Sequence, residues 1–165
     1  MSFARFHEAQ ADPHAGYDTA LAEIRRGRKT SHWIWDIFPQ LSGLGHSQMA
    51  TRYAIRDLAE ACDYLRDPLL RARYEAITTA VGDQLALGRR STGEGGRGLA
   101  LEDLMGSRID ALKLVSSLTL FRAASERLAH GDPTFHESLV VVIDFIFNQP
   151  ALQNYPPCDR SASAG

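Results

Sequence analysis

Thiol chemistry has almost no material in this chain, because Cys62 and Cys158 are the only cysteines in 165 residues. Two cysteines make neither a disulfide framework nor a thiolate zinc centre. Cys62 moreover falls within an apolar helical pattern. Metal chemistry lacks its spacing as well. Histidines stand apart at positions 7, 14, 32, 46, 130 and 136, and His136-Glu137 begins an H-E-x-x-H pattern that Val140 breaks. There is no EF-hand loop. The expectation is a protein with no metal site and no cofactor.

An excess of one charge is also missing. Lys and Arg number 18 against 20 Asp and Glu, a net charge of −2, so no global basic field steers the chain onto nucleic acid or an anionic membrane. The short basic run Arg25, Arg26, Arg28 and Lys29 reads as a solvated helix end rather than a phosphate tracker. Long apolar runs are absent too: the longest is Leu139 to Ile143, far short of a membrane span. The opening residues, MSFARFHEAQ, mix polar with apolar and do not form a signal peptide. Hydrophobic residues at 44% and charged ones at 23% are ordinary globular composition. A bacterial-type, cytoplasmic domain is expected, with no membrane partner.

What is present is helical spacing. Phe3, Phe6 and Ala9 or Gln10 predict a short first helix; Tyr17, Leu21 and Ile24 or Arg25 predict a second, opened by Pro13 and closed by Gly27. Ser47 is placed to cap a longer helix reaching about Leu65, with Ala50, Ala54, Leu58, Ala61 and Leu65 inward and Glu60 mostly outside. Asp67-Pro68 and Asp132-Pro133 are cap-and-proline starts for two more. Leu114, Leu118, Phe121, Ser125 and Leu128 mark the buried face of another long one. No strand pattern or internal repeat emerges. The expected fold is all-α, a single-domain orthogonal helical bundle of about six or seven helices. It would span residues 1–148, with a flexible glycine-rich loop at 88–98 and a frayed tail at 149–165.

One stretch departs from this ordinary packing: KTSHWIWDIFPQLSGLGHS, Lys29 to Ser47. Ser31 is placed to cap a short helix with HWIWDIF as its body, and Pro39 must end it. On a helix Trp33 and Trp35 lie about 200° apart, so the apolar residues surround the axis and the element is buried on most sides. A strand would align Trp33, Trp35 and Ile37 on one face, but the helical neighbours favour helix. His32 and Asp36 are four apart and could pair. Lys29, His32 and Gln40 then either frame a buried aromatic plug or line a pocket walled by the two indoles. GLGHS, before the helix capped by Ser47, is an ordinary turn and cap, with an anion site as the minority reading.

A second polar cluster is DALKLVSS, where Asp110, Lys113 and Ser117 fall on one helix face with Ser116 beside them. Lys with Ser suggests hydrolase chemistry, but K-x-x-S reverses the S-x-x-K order and no glycine elbow surrounds either serine. A salt-bridged polar flank is the simpler reading.

Several motifs together are similar to one bacterial family. They are F-x-x-A-Q (Phe6 to Gln10), A-L-x-E-I (Ala20 to Ile24), S-H-W-x-W-x-I-F-P-Q (Ser31 to Gln40), G-L-G-x-S (Gly43 to Ser47) and D-x-x-K-L-x-S-S-x-T-L-F (Asp110 to Phe121). The chain resembles domain-of-unknown-function family 1810, sometimes labelled calpastatin, over about Phe3 to Leu128. The resemblance implies a single all-helical domain and brings no catalytic residues with it. A calpain inhibitor of that label would be long, polar and disordered, which this patterned chain is not. Asp36 stands where an aromatic or apolar residue is expected, and the ending lacks an acidic, leucine-rich finish.

Both polar clusters lie inside these motifs. If they meet, Lys29, His32, Trp33, Trp35, Gln40, Ser47, Lys113 and Ser117 become ligand-binding candidates, with His32 or Asp110 as acid or base. The ligand expected is small, anionic and nucleotide-like, and hydrolysis of it is one outcome. The alternative is a non-enzymatic protein-interaction module, its partner unidentified, in which S-H-W-x-W is structural core.

Overall fold

In the computed structural model, residues 2–91 and 99–157 are described. They form nine α-helices: α1 (Ala4–Gln10), α2 (Tyr17–Arg25), α3 (Ile34–Ile37), α4 (Gln48–Arg52), α5 (Leu58–Arg66), α6 (Pro68–Ser91), α7 (Leu101–Met105), α8 (Arg108–Ala129) and α9 (Val141–Phe147). Three of them, α3, α4 and α7, are only four or five residues long. A π-helical turn, His136–Val140, leads into α9, and a 3-10 turn, Pro150–Leu152, follows it. The fold is all-helical.

Capping chemistry sets most of the starts. Asp57 accepts from the Glu60 amide, Asp67 from Leu69 and Leu70, Ser107 from Asp110, and Asp132 from Thr134. Gly27, at φ 90°, ends α2 with its amide on the Ile24 carbonyl.

Helix α8 lies at the centre and packs against α5, α7 and the π turn. Its Leu114, Leu118, Phe121 and Ala124 are fully buried. An aromatic chain crosses the core: Trp33 to Phe38 at 6.3 Å, Phe38 to Tyr74 at 5.7 Å, Tyr74 to Phe121 at 4.6 Å and Phe121 to Tyr64 at 5.2 Å. Phe6 of α1 closes on Tyr64 edge-on at 5.1 Å. The tryptophan motif is thus tied directly to the main core.

Four expectations need correction. The helix predicted from Ser47 to Leu65 is broken at Tyr53–Asp57. There the chain pairs with the segment after Pro39: Ile55 donates to the Gln40 carbonyl at 2.8 Å and Ser42 donates to the Ile55 carbonyl at 2.7 Å. Glu60, expected outside, is buried, because Arg5 and Arg56 of two other segments reach it. Helix α6 continues through Ser91, so the first residues of the glycine-rich stretch are helical; 92–98 lie outside the described residues. The start of the supposed tail is docked, with Leu152 and Tyr155 buried in the core; 158–165 lie outside the described residues.

Candidate functional site

The motif is held from below by a residue whose role the periodicity hides. Glu23, on α2, is buried, and its carboxylate accepts from the amides of Thr30 at 2.7 Å and Ser31 at 2.9 Å. It also accepts from the Ser31 hydroxyl at 2.6 Å and the Trp33 indole at 3.0 Å. Burial works to raise its pKa, but the hydrogen bonds from Ser31, Thr30 and Trp33 outweigh it and hold the carboxyl at about 2. An ionised acceptor thereby fixes the path of the chain from Thr30 to Trp33. Ser31 serves Glu23, so it does not cap the short helix, whose cap position is Trp33. That helix is accordingly one turn, Ile34–Ile37, rather than the whole of HWIWDIF.

The same segment is pinned from the other side. The Lys29 amide donates to the Leu104 carbonyl at 2.7 Å, and Gly106, at φ 84°, brings its backbone so close that a Cβ there would sit 2.7 Å from the Lys29 carbonyl oxygen. The Lys29 side chain is buried, lies 4.9 Å from the centre of the Trp33 ring and donates to the Ser31 carbonyl at 2.6 Å. Its ammonium bridges to Asp110 at 2.7 Å. The two polar clusters therefore meet.

A second lysine completes the junction. Lys113 lies 4.5 Å over the Trp35 ring, with its ammonium 4.0 Å from the other Asp110 oxygen, and its side chain is 27% exposed. Gln40 donates to the Lys113 carbonyl at 2.6 Å and to the Phe38 carbonyl at 3.1 Å, so the two clusters are also joined through backbone. The Trp35 indole nitrogen is buried without a hydrogen-bond partner.

Other sequence candidates go elsewhere. Ser117 is fully buried on the inner part of α8 and bonds the Tyr74 hydroxyl at 3.0 Å, because the face shared with Asp110 runs from the surface into the core. Ser47 is exposed and caps the five-residue α4 through the Ala50 amide. His32 is exposed just before α3, while Asp36 is buried within it, so the pairing expected for a longer helix does not form. One Asp36 oxygen has no hydrogen-bond partner. Burial pushes Asp36 up to about 7, against a hydrogen bond from its own amide, and the charge of Asp12 adds to the rise. Among the described residues, no three His, Cys, Asp or Glu side chains group as metal ligands.

The comparisons with known proteins agree with the motifs. A family model described as "Protein of unknown function (DUF1810)" matches residues 1–144. The chain belongs to that family. The match continues past Leu128 into the last helix. The crystal structure of the conserved hypothetical protein Rv1873 from Mycobacterium tuberculosis is similar at 37% identity with a TM-score of 0.61. The likeness covers 86% of this chain and 87% of that one. No curated protein matches. Among the described residues, no helix of this DUF1810 protein is long and apolar enough to cross a membrane.

Glu23 was missed as a framing residue. It lies three residues after buried Ala20 and directly before Ile24, so it belongs to the inward face. An acid there, with hydroxyl and indole donors a few residues on, was the available signal.

Proposed function

We propose that this protein binds a small anionic, nucleotide-like ligand at the edge formed by Trp35 and Lys113. The observation that carries the reading is the partly exposed Lys113 side chain, with its ammonium laid on the half-buried Trp35 ring. An indole face beside a cation suits a ligand with a ring and a phosphate. Exposed His32, on the same motif, is the residue left to act as acid or base if the ligand is hydrolysed, since Asp110 is already held by Lys29. The setting proposed is the bacterial cytoplasm, with no cofactor.

The test is the melting temperature of the protein against nucleotides, nucleosides and sugar phosphates, with Lys113→Ala and His32→Ala alongside. A ligand that binds only the native state stabilises it by about 2.7 kcal/mol at 100 times its dissociation constant. The expected result is a rise in the parent that Lys113→Ala abolishes while remaining folded.

A second reading has its own support. The polar atoms around Trp33 are mutually satisfied, and Ile109 and Leu112, on the neighbouring first turns of α8, are 66% and 45% exposed. Those exposures suit a protein-interaction module with the motif as its core. No shift across the panel, with both variants folded, would favour it.

A further inference from the structure

The site's charge balance narrows the class of ligand, an inference that rests on the binding reading above. Three charged side chains meet at the junction. Lys29 is buried and bound to one Asp110 oxygen at 2.7 Å; Lys113 lies 4.0 Å from the other. Two ammoniums against one carboxylate leave a single positive charge, and only Lys113 of the two is partly exposed to deliver it. Arg108, at the start of α8, is turned aside: its guanidinium lies 5.3 Å from the Tyr155 ring and bonds that hydroxyl at 3.5 Å. Asp110 itself, 18% exposed at this point, repels any ligand charge beyond the first. Beside Lys113, one helical turn earlier on the same face, stands Ile109, an apolar surface with no charge to offer.

We propose that the site selects a ring-bearing monoanion, specifically a nucleotide whose phosphate is a diester, over phosphomonoesters and polyphosphates. A diester carries one negative charge, which Lys113 matches. Its base packs against the part of the half-buried Trp35 that Lys113 leaves uncovered, and its sugar-phosphate portion sits toward Ile109. A triphosphate would bring several charges beside Asp110, whose cation partners among the described residues are the buried Lys29 and the partly exposed Lys113.

The experiment is calorimetric titration of the full chain with four probes: adenosine, adenosine 3′,5′-cyclic monophosphate, AMP and ATP. Each is repeated on Lys113→Met and on Trp35→Phe, with the melting temperature as a check on folding. The expected order has the cyclic diester tightest, with ATP and uncharged adenosine weaker. Lys113→Met should weaken the diester about tenfold and bring it level with adenosine, as loss of a charge-assisted contact requires. Tighter binding of ATP or AMP than of the diester would overturn the monoanion inference and leave the binding site standing. Absence of binding by all four probes would overturn the binding reading and this inference together. Binding that Lys113→Met leaves unchanged would remove the anion from this site.

Discussion

Each tryptophan of the motif has a lysine on its ring, and the two pairs differ in what becomes of their polar atoms. Around Trp33 everything is matched: its indole nitrogen gives to Glu23, and Lys29 gives to Ser31 and Asp110. Around Trp35 the indole nitrogen has no partner, Lys113 keeps part of its side chain in solvent, and neighbouring Asp36 has an unpartnered oxygen. The carboxyls report the same contrast. Glu23 and Asp36 are both buried, yet one is held at about 2 and the other pushed to about 7. Burial dominates at Asp36, whereas at Glu23 the hydrogen bonds delivered to the charged form outweigh it. The first half of the motif is a frame, and the second is the half at which binding is proposed.

The largest effect should come from dismantling the frame. Glu23→Ala leaves the Thr30 and Ser31 amides and the Trp33 indole without their acceptor, and should cost on the order of 3–5 kcal/mol in denaturant unfolding. A loss under about 1 kcal/mol would mean that the segment is held by its packing instead. Because Glu23 is held below the ordinary carboxylate range, its contribution is present above that range and lost only as pH falls toward 2.

Asp36 should behave in the opposite sense. Its folded form keeps a proton that the unfolded chain gives up near pH 4, so between those points the folded state binds more protons. Stability from this group is full below the ordinary carboxylate pKa and is lost as pH rises through about 7. The total is up to about 4 kcal/mol. Asp36→Asn should therefore gain on the parent steadily from pH 4 to pH 8, read as the difference between their melting temperatures. Parallel pH profiles would contradict the assignment.

The smallest effect belongs to the pin at α7. Gly106→Ala puts a Cβ against the Lys29 carbonyl oxygen in a left-handed backbone, and should destabilise by about 2 kcal/mol. The clash falls on the Lys29 backbone, so with the ammonium still on Asp110 the Lys113 and Trp35 half should keep its ligand preference. Loss of that preference would show that the halves act as one unit.

Much of this was legible in the residues. Asp57 is the cap that the longer helix concealed; Asp67-Pro68 and Asp132-Pro133 follow local capping chemistry, and the heptad-like face of α8 follows its apolar spacing. The break before Asp57 was not legible, because it depends on Ile55 pairing with Gln40 and Ser42, a contact between segments. The docking of Leu152 and Tyr155 was hidden by the prolines around them. For the site, residue types marked both clusters, but only tertiary packing joins Lys29 to Asp110 and Gln40 to the Lys113 carbonyl. The same packing carries Ser117 inward to Tyr74.

The most direct test of the division between the halves is the pair of tryptophan indole N–H resonances in an NMR titration with the four nucleotide and nucleoside probes. Trp35 should shift with ligand, in proportion to occupancy, while Trp33 stays in place on Glu23. A moving Trp33 signal with Trp35 still, or two signals that ignore every probe, would contradict the account.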